Sequence, residues 1–184
     1  GQVFHFDTPI VRDDRAWLFG GNTQLPPDIS FKWAKRVSPD FHARYSATAR
    51  RYRYVILNQS MRDCWWQARS WLVHYPLDHE AMHQAAQALL GEQDFSSFRA
   101  TQCQSRTPMR NVHHISVTRS LDYPTQIHIE LEANAFVHHM VRNIVGSLVL
   151  VGRGIKPVDW MAELLCIKDR TQAGMTAPPE GLAF

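Results

Sequence analysis

Apolar residues recur with two different periods along this chain of 184 residues, and the order of those periods limits the fold class. Residues 51–57 alternate, with Tyr52, Tyr54 and Ile56 on one face, which predicts a strand. Similar patterns predict the other main elements: strands over residues 111–119 and 126–132, and helices over residues 79–90, 135–151 and 157–168. Strands and helices do not alternate strictly. We therefore expect an α+β fold, with a mixed, mostly antiparallel sheet and flanking helices.

The first 40 residues carry shorter signals. Acidic residues near a positive helix end and a following glycine pair predict a short helix over residues 12–20. Residues 3–6 resemble a short strand. Ile29, Phe31 and Trp33 alternate with polar residues, which predicts a half-buried strand.

Composition narrows the class of protein. Hydrophobic residues make up 45% of the chain, which is enough for a real core. The three cysteines are isolated, so we expect reduced thiols in a cytoplasmic protein rather than disulfides or structural zinc. The longest apolar run, residues 144–151, is far shorter than the roughly 20 residues of a membrane span, and no signal peptide is evident.

Arginine is concentrated in two segments without acidic residues, 41–62 and 95–121. Sixteen of the 20 cationic residues are arginine, whose planar group suits phosphates and stacks on bases. Solvated basic surfaces are the simpler interpretation. The interleaved aromatic residues favour a surface that binds nucleic acid.

An arginine lies inside an apolar helical pattern in the third informative motif, residues 134–146. Arg142 should need a carboxylate nearby, because an unpaired buried charge is costly. The alternative is that its side chain extends to the solvent. The other two motifs, residues 41–54 and 103–111, suit RNA-binding loops, but a tyrosine-lined strand and an ordinary surface loop explain them as well.

Ten histidines raise the question of a metal site. His113-His114 and His138-His139 are adjacent pairs, and neighbours on a strand or helix point in different directions. Neither HExxH nor a nearby cysteine ligand occurs, and no GxSxG motif indicates a serine hydrolase. We expect no metal.

Together the three motifs resemble the TruA family, the tRNA pseudouridine synthases A. The resemblance rests on FHARYSATARRYRY (41–54), SFRATQCQSRTPMRNV (97–112) and NAFVHHMVRNIVGSL (134–148), supported by LPPDI and TAPPEGL. It implies a fold of two ferredoxin-like halves, with the rest of the N-terminal half at about residues 1–36 and the C-terminal half at about 41–184. It also implies a cytoplasmic homodimer without cofactor or metal, which isomerises uridine at positions 38, 39 and 40 of the tRNA anticodon stem-loop.

The resemblance assigns roles to individual residues. Tyr52 matches the tyrosine that stacks under the target base, and Arg142 matches the arginine that pairs with the catalytic aspartate. The candidate RNA-binding residues are Arg44, Arg50, Arg51, Arg53, Arg106 and Arg110.

The family's nucleophile lies in a GRTDxGVHA motif, which these 184 residues do not contain. The opening GQVFHF resembles the strand that follows that motif, so we expect the motif just before residue 1. We also expect a further strand after residue 184. On this view the chain is an inactive fragment truncated at its N-terminus. Two alternatives are a non-catalytic RNA-binding module and a histidine-metal hydrolase, which elemental analysis would detect.

Overall fold

The computed structural model describes residues 2–184, which divide into two compact units with the boundary between Ala47 and Thr48. We call residues 2–47 the N-terminal unit and residues 48–184 the C-terminal unit. The elements in chain order are α1 (Asp14–Asn22), β1 (Arg50–Asn58), β2 (Trp71–Val73), α2 (His79–Ala86), β3 (Gly91–Asp94), β4 (Met109–Arg119), β5 (Gln126–Ala133), α3 (Met140–Gly152), α4 (Trp160–Ile167) and β6 (Leu182–Ala183).

The N-terminal unit contains one helix and, among residues 2–47, no strand. Asp13 caps α1 by accepting a hydrogen bond from the backbone N–H of Arg15 at 2.8 Å, which confirms the predicted helix slightly later in the chain. The strands predicted over residues 3–6 and 29–33 are wrong. A half-buried strand needs a hydrogen-bonded neighbour, and none is present in this unit, so the alternating residues remain irregular.

One sheet organises the C-terminal unit. Its strand order is β2-β1-β5-β4-β3, and β6 pairs with β1 beside β2. The β1–β2 pair is parallel and all other pairs are antiparallel, which confirms the mixed, mostly antiparallel sheet. The central β1–β5 register places Tyr54 opposite Ile129 and Ile56 opposite Ile127, and all four side chains are fully buried.

Helices α2, α3 and α4 supply the other half of the core. Asp78 accepts hydrogen bonds from the backbone of Glu80 and Ala81 and so begins α2, as the sequence predicts. The apolar face of α3 is buried at Ile144 and Leu148. No helix among residues 2–184 has the length and apolar character needed to cross a membrane.

The backbone of helix α3 also packs closely against the backbone of residues 174–177. A Cβ added to Gly146 would lie 1.7 Å from the carbonyl oxygen of Met175, and one added to Gly174 would lie 2.7 Å from that of Gly146. Only glycine at both positions permits this approach. The contact fixes residues 174–177 against the middle of α3 and thereby positions the candidate site.

Candidate functional site

Tyr52 lies half-buried on β1 between two other aromatic rings. Its ring meets Phe136 edge-on at 5.0 Å between centroids and lies tilted against Phe184, also at 5.0 Å. Phe136 precedes α3, and Phe184 follows directly after β6. Three parts of the chain therefore hold an aromatic ring that keeps part of its surface accessible, as a platform for a stacked base requires.

The next residue on the same face, Tyr54, fixes the segment that follows α4. Its hydroxyl donates a hydrogen bond to the carbonyl of Pro178 at 2.7 Å. Burial raises the pKa of Tyr54 well above its ordinary value; nearby Arg142 opposes this shift and Glu180 adds to it. Tyr54 is thus a neutral hydrogen-bond donor. We call Tyr54, Arg142, Ala177 and Pro178 the Arg142 cluster.

Arg142 is half-buried on the first turn of α3. Its Nε donates to the carbonyl oxygen of Ala177 at 2.6 Å, and the backbone N–H of Ala177 donates to the carbonyl of Arg142 at 3.1 Å. Within residues 2–184, no carboxylate forms an ion pair with Arg142. The partner seen here is a carbonyl rather than the carboxylate that sequence reasoning requires.

Tyr52 and Arg142 are linked through one segment, although within residues 2–184 no hydrogen bond or cation–π contact joins them directly. Ala177 bonds Arg142, and Phe184 contacts the ring of Tyr52. Between these two residues, Leu182 pairs with Tyr54 across β6 and β1. Residues 177–184 therefore connect both predicted catalytic residues.

The arginines of β1 divide between the two faces of the sheet. Arg51 and Arg53 lie on the face opposite Tyr52 and form ion pairs with Glu132 and Glu130 of β5. Arg50 lies on the Tyr52 face, and its Nη1 donates to the carbonyl of Asn134 at 2.8 Å. The ion pairs already neutralise part of the charge of Arg51 and Arg53.

The remaining predicted RNA-binding arginines have three different environments. Arg106 is exposed on the loop before β4, and Arg44 is exposed in the N-terminal unit, where its guanidinium lies 5.8 Å from the ring centre of Tyr45. Arg110 is 7% exposed and donates to the carbonyl of Thr107 and the hydroxyl of Ser105. Burial lowers the pKa of Arg110. Its observed contacts hold the loop before β4 together.

Sequence reasoning missed a cavity of about 450 Å³ that lies beside the Arg142 cluster. It is lined by Ala100, Thr101, Gln102, His138, His139, Arg170, Thr171, Ala173, Gly174, Met175 and Thr176. Thr176 and Met175 directly precede Ala177, which bonds Arg142. The histidine pair lay within a motif singled out above, but nothing in the local sequence marks Arg170.

Comparison with known proteins supplies the family context. A family model described as tRNA pseudouridine synthase matches residues 85–184. Proteins named tRNA pseudouridine synthase A from Histophilus somni (strain 2336) and Pasteurella multocida (strain Pm70) are each 59% identical over 182 residues, or 99% of this chain. The chain spans 66% of the first relative and 68% of the second, about two thirds of their length. A protein of the same name from Klebsiella pneumoniae is also 59% identical over 182 residues and is covered to 66%.

Proposed function

The chain belongs to the tRNA pseudouridine synthase family, and on that premise we propose that it forms part of a tRNA pseudouridine synthase A. The enzyme would isomerise uridine to pseudouridine at positions 38–40 of the anticodon stem-loop. We further propose that it acts in the cytoplasm as a homodimer and without a cofactor or metal.

The chemistry gives Tyr52 and Arg142 separate tasks. The N-glycosidic bond of a flipped uridine breaks, the base turns, and a carbon–carbon bond forms between C5 and C1′ while the C5 proton is lost and N1 gains one. A carboxylate must act close to C1′ and C6. Tyr52 supports the base, and Arg142 orients the carboxylate and favours its ionised form.

The observation that carries this proposal is the guanidinium of Arg142 in the first turn of α3. Ala177 holds its Nε, and no carboxylate among residues 2–184 forms an ion pair with it. A half-buried arginine in that setting is suited to receive a carboxylate from a GRTDxGVHA segment, which the 184 residues do not contain. We propose that these residues alone bind RNA but do not isomerise uridine.

We propose that RNA contacts are made by the six arginines identified from the sequence. Arg106 has the environment that best supports this role, because it is exposed on the loop before β4. Arg44 is also exposed. For Arg51 and Arg53 the contact would compete with Glu132 and Glu130, and for Arg110 it would require the loop before β4 to open.

The test measures tritium release from tRNA labelled at uridine C5. It compares the 184-residue chain with the same chain carrying an N-terminal extension that includes the GRTDxGVHA motif. We expect release only from the extended protein, and at least about a hundredfold less when Tyr52→Phe or Arg142→Lys is introduced there.

Turnover by the 184-residue chain would contradict the proposed division of roles, because another carboxylate would then act as the nucleophile. If neither protein released tritium but both bound tRNA, the non-catalytic RNA-binding module would be favoured instead.

A further inference from the structure

The cavity beside the Arg142 cluster is lined by basic but not by acidic side chains. Its eleven lining residues include His138, His139 and Arg170 but no aspartate or glutamate. The rings of the two histidines stack at 3.9 Å between centroids. Three side chains that can donate hydrogen bonds to an anion therefore line one cavity without an acidic residue among the lining.

Arg170 is held rigidly at the wall of the cavity by neutral groups. Its Nη1 donates to the carbonyl of Gly174 at 2.9 Å, and its Nη2 donates to Asn143 Oδ1 at 3.1 Å and Thr176 Oγ1 at 3.0 Å. No carboxylate among residues 2–184 pairs with it, and burial lowers its pKa. Neutral oxygen atoms thus fix this guanidinium in place without an ion pair among the described residues.

His139 adds a second unusual feature at the same wall. It adopts φ 61°, a left-handed conformation that is rare for residues other than glycine, and it directly precedes α3. Burial lowers the pKa of His139, and nearby His138, Arg142 and Arg170 lower it further. His139 is therefore a neutral imidazole at neutral pH, able to donate a hydrogen bond from one ring nitrogen. Strained backbone of this kind often occurs where a ligand is held.

Residues 176 and 177 connect the cavity to the Arg142 cluster. Asn143 Oδ1 accepts from both Arg170 and Thr176, and the residue after Thr176 bonds Arg142. Asn143 Nδ2 in turn donates to the carbonyl of Phe98 at 2.8 Å. An anion in the cavity would therefore lie next to the reacting nucleotide.

We propose that this cavity binds a backbone phosphate of the RNA, next to the target nucleotide, through Arg170 and the His138–His139 pair. The proposal rests on the function proposed above, because it takes RNA as the source of the phosphate. The volume of about 450 Å³ leaves room for the sugar attached to that phosphate. The phosphate supplies the negative charge that is missing from the lining.

The variants for the test change the charge of the cavity without removing Arg170, whose loss would also loosen residues 174–176. Thr101 is an exposed lining residue, so Thr101→Glu introduces a carboxylate and Thr101→Gln is its neutral, equally sized control. Leu121, which is 97% exposed and is not among the lining residues, provides a control for net charge as Leu121→Glu.

The first measurement is the affinity of the 184-residue chain for an anticodon stem-loop RNA at several salt concentrations, by fluorescence anisotropy. We expect Thr101→Glu to weaken binding about tenfold and to reduce the slope of log affinity against log salt by about 0.7 to 0.9, the value for one phosphate. Thr101→Gln and Leu121→Glu should stay within about twofold of the unmodified chain.

The second measurement titrates the chain with inorganic phosphate while following the imidazole NMR signals of His139. Saturable shifts that disappear in Thr101→Glu but persist in Thr101→Gln are expected. If phosphate binds but all variants bind RNA equally, the RNA assignment is wrong and the cavity is a site for small anions.

If Thr101→Glu changes neither the phosphate titration nor the RNA affinity, the proposal that the cavity binds a phosphate is wrong. If the chain binds no RNA at all, the proposed function fails, and the phosphate titration still decides whether the cavity accepts an anion.

Discussion

The two units of the molecule differ in what holds them together. None of residues 2–47 is buried, and large apolar side chains such as Val11, Phe19 and Trp33 are 88%, 60% and 64% exposed. Among residues 2–184, every buried apolar residue lies in the C-terminal unit, including Tyr54 and Leu148 at 0% exposure. The N-terminal unit also carries alternating apolar residues, Ile29, Phe31 and Trp33, but they are not buried, so a pattern becomes a core only where a second layer covers it.

Local contacts maintain the N-terminal unit instead. The side chain of Asn22 bonds the backbone of Phe31 through both its oxygen and its nitrogen, at 2.7 and 3.1 Å. The rings of Phe4 and Phe31 meet at 5.4 Å, and those of Phe6 and Trp17 at 5.3 Å. These contacts bury little surface, so we expect the unit to open with a small free energy.

The largest expected difference between the units comes from truncating one apolar side chain in each. Leu148→Ala should lower the free energy of unfolding by about 2 to 5 kcal/mol, because it leaves a cavity in the core. Val11→Ala should change it by less than about 0.5 kcal/mol, because the side chain is already in water. Urea unfolding followed by circular dichroism measures both. Equal losses would contradict the contrast between the two units.

Adding one methyl group at a helical glycine should have opposite effects in the two units. Gly146→Ala in α3 forces a Cβ against the carbonyl of Met175 and should destabilise the protein by about 1 to 3 kcal/mol or more. Gly20→Ala in α1 meets nothing within 4 Å and should stabilise α1 by about 0.5 to 1 kcal/mol.

Thermal unfolding reports the first change, and peptide-resolved hydrogen exchange reports the second. A neutral Gly146→Ala would show that residues 174–177 can move away from α3 at little cost.

The smallest difference concerns two tyrosine hydroxyl groups. Tyr54→Phe removes the bond to Pro178 and should cost about 0.5 to 1.5 kcal/mol at neutral pH, whereas Tyr45→Phe, at a position 76% exposed, should cost almost nothing. The pKa of folded Tyr54 lies above its ordinary value of 10.0, so above pH 10 the unfolded chain ionises first and stability falls.

The Tyr54→Phe protein lacks that alkaline loss, so the unfolding free energies of Tyr54→Phe and the unmodified chain should converge as the pH rises above 10. Urea unfolding at pH 8 and pH 10.5 checks this, and parallel curves would mean that Tyr54 ionises equally easily in both states.

Much of the C-terminal unit could be predicted from periodicity alone. Strands β1, β4 and β5 and helices α2 to α4 were predicted because each has enough residues to show a period. Strands β2, β3 and β6 were not, because two to four residues show no period. Their pairing depends on chain segments that are distant in sequence.

The parts of the candidate site that lie within sequence motifs could be predicted. The parts that only the fold brings together could not. Motifs singled out Tyr52 and Arg142 as candidates, and the apolar pattern around Arg142 indicated that it needs a partner. The partner present, the carbonyl of Ala177, could not be inferred, because any residue can supply a carbonyl. Arg170 reaches its cavity through hydrogen bonds to residues 143, 174 and 176, which only the fold brings together.

The pairing of β6 with β1 has a consequence for how the protein is made. The hydroxyl of Tyr54 bonds the carbonyl of Pro178, which lies 124 residues later in the chain. At ribosomal rates of about 5 to 20 residues per second, Pro178 is synthesised roughly 6 to 25 s after Tyr54. During that interval the outer edge of β1 is open at Arg53 and Tyr54, where β6 will pair. The nascent chain thus exposes unpaired backbone groups on β1, which can pair with strands of other chains. A chaperone that covers this edge would increase the yield of folded protein.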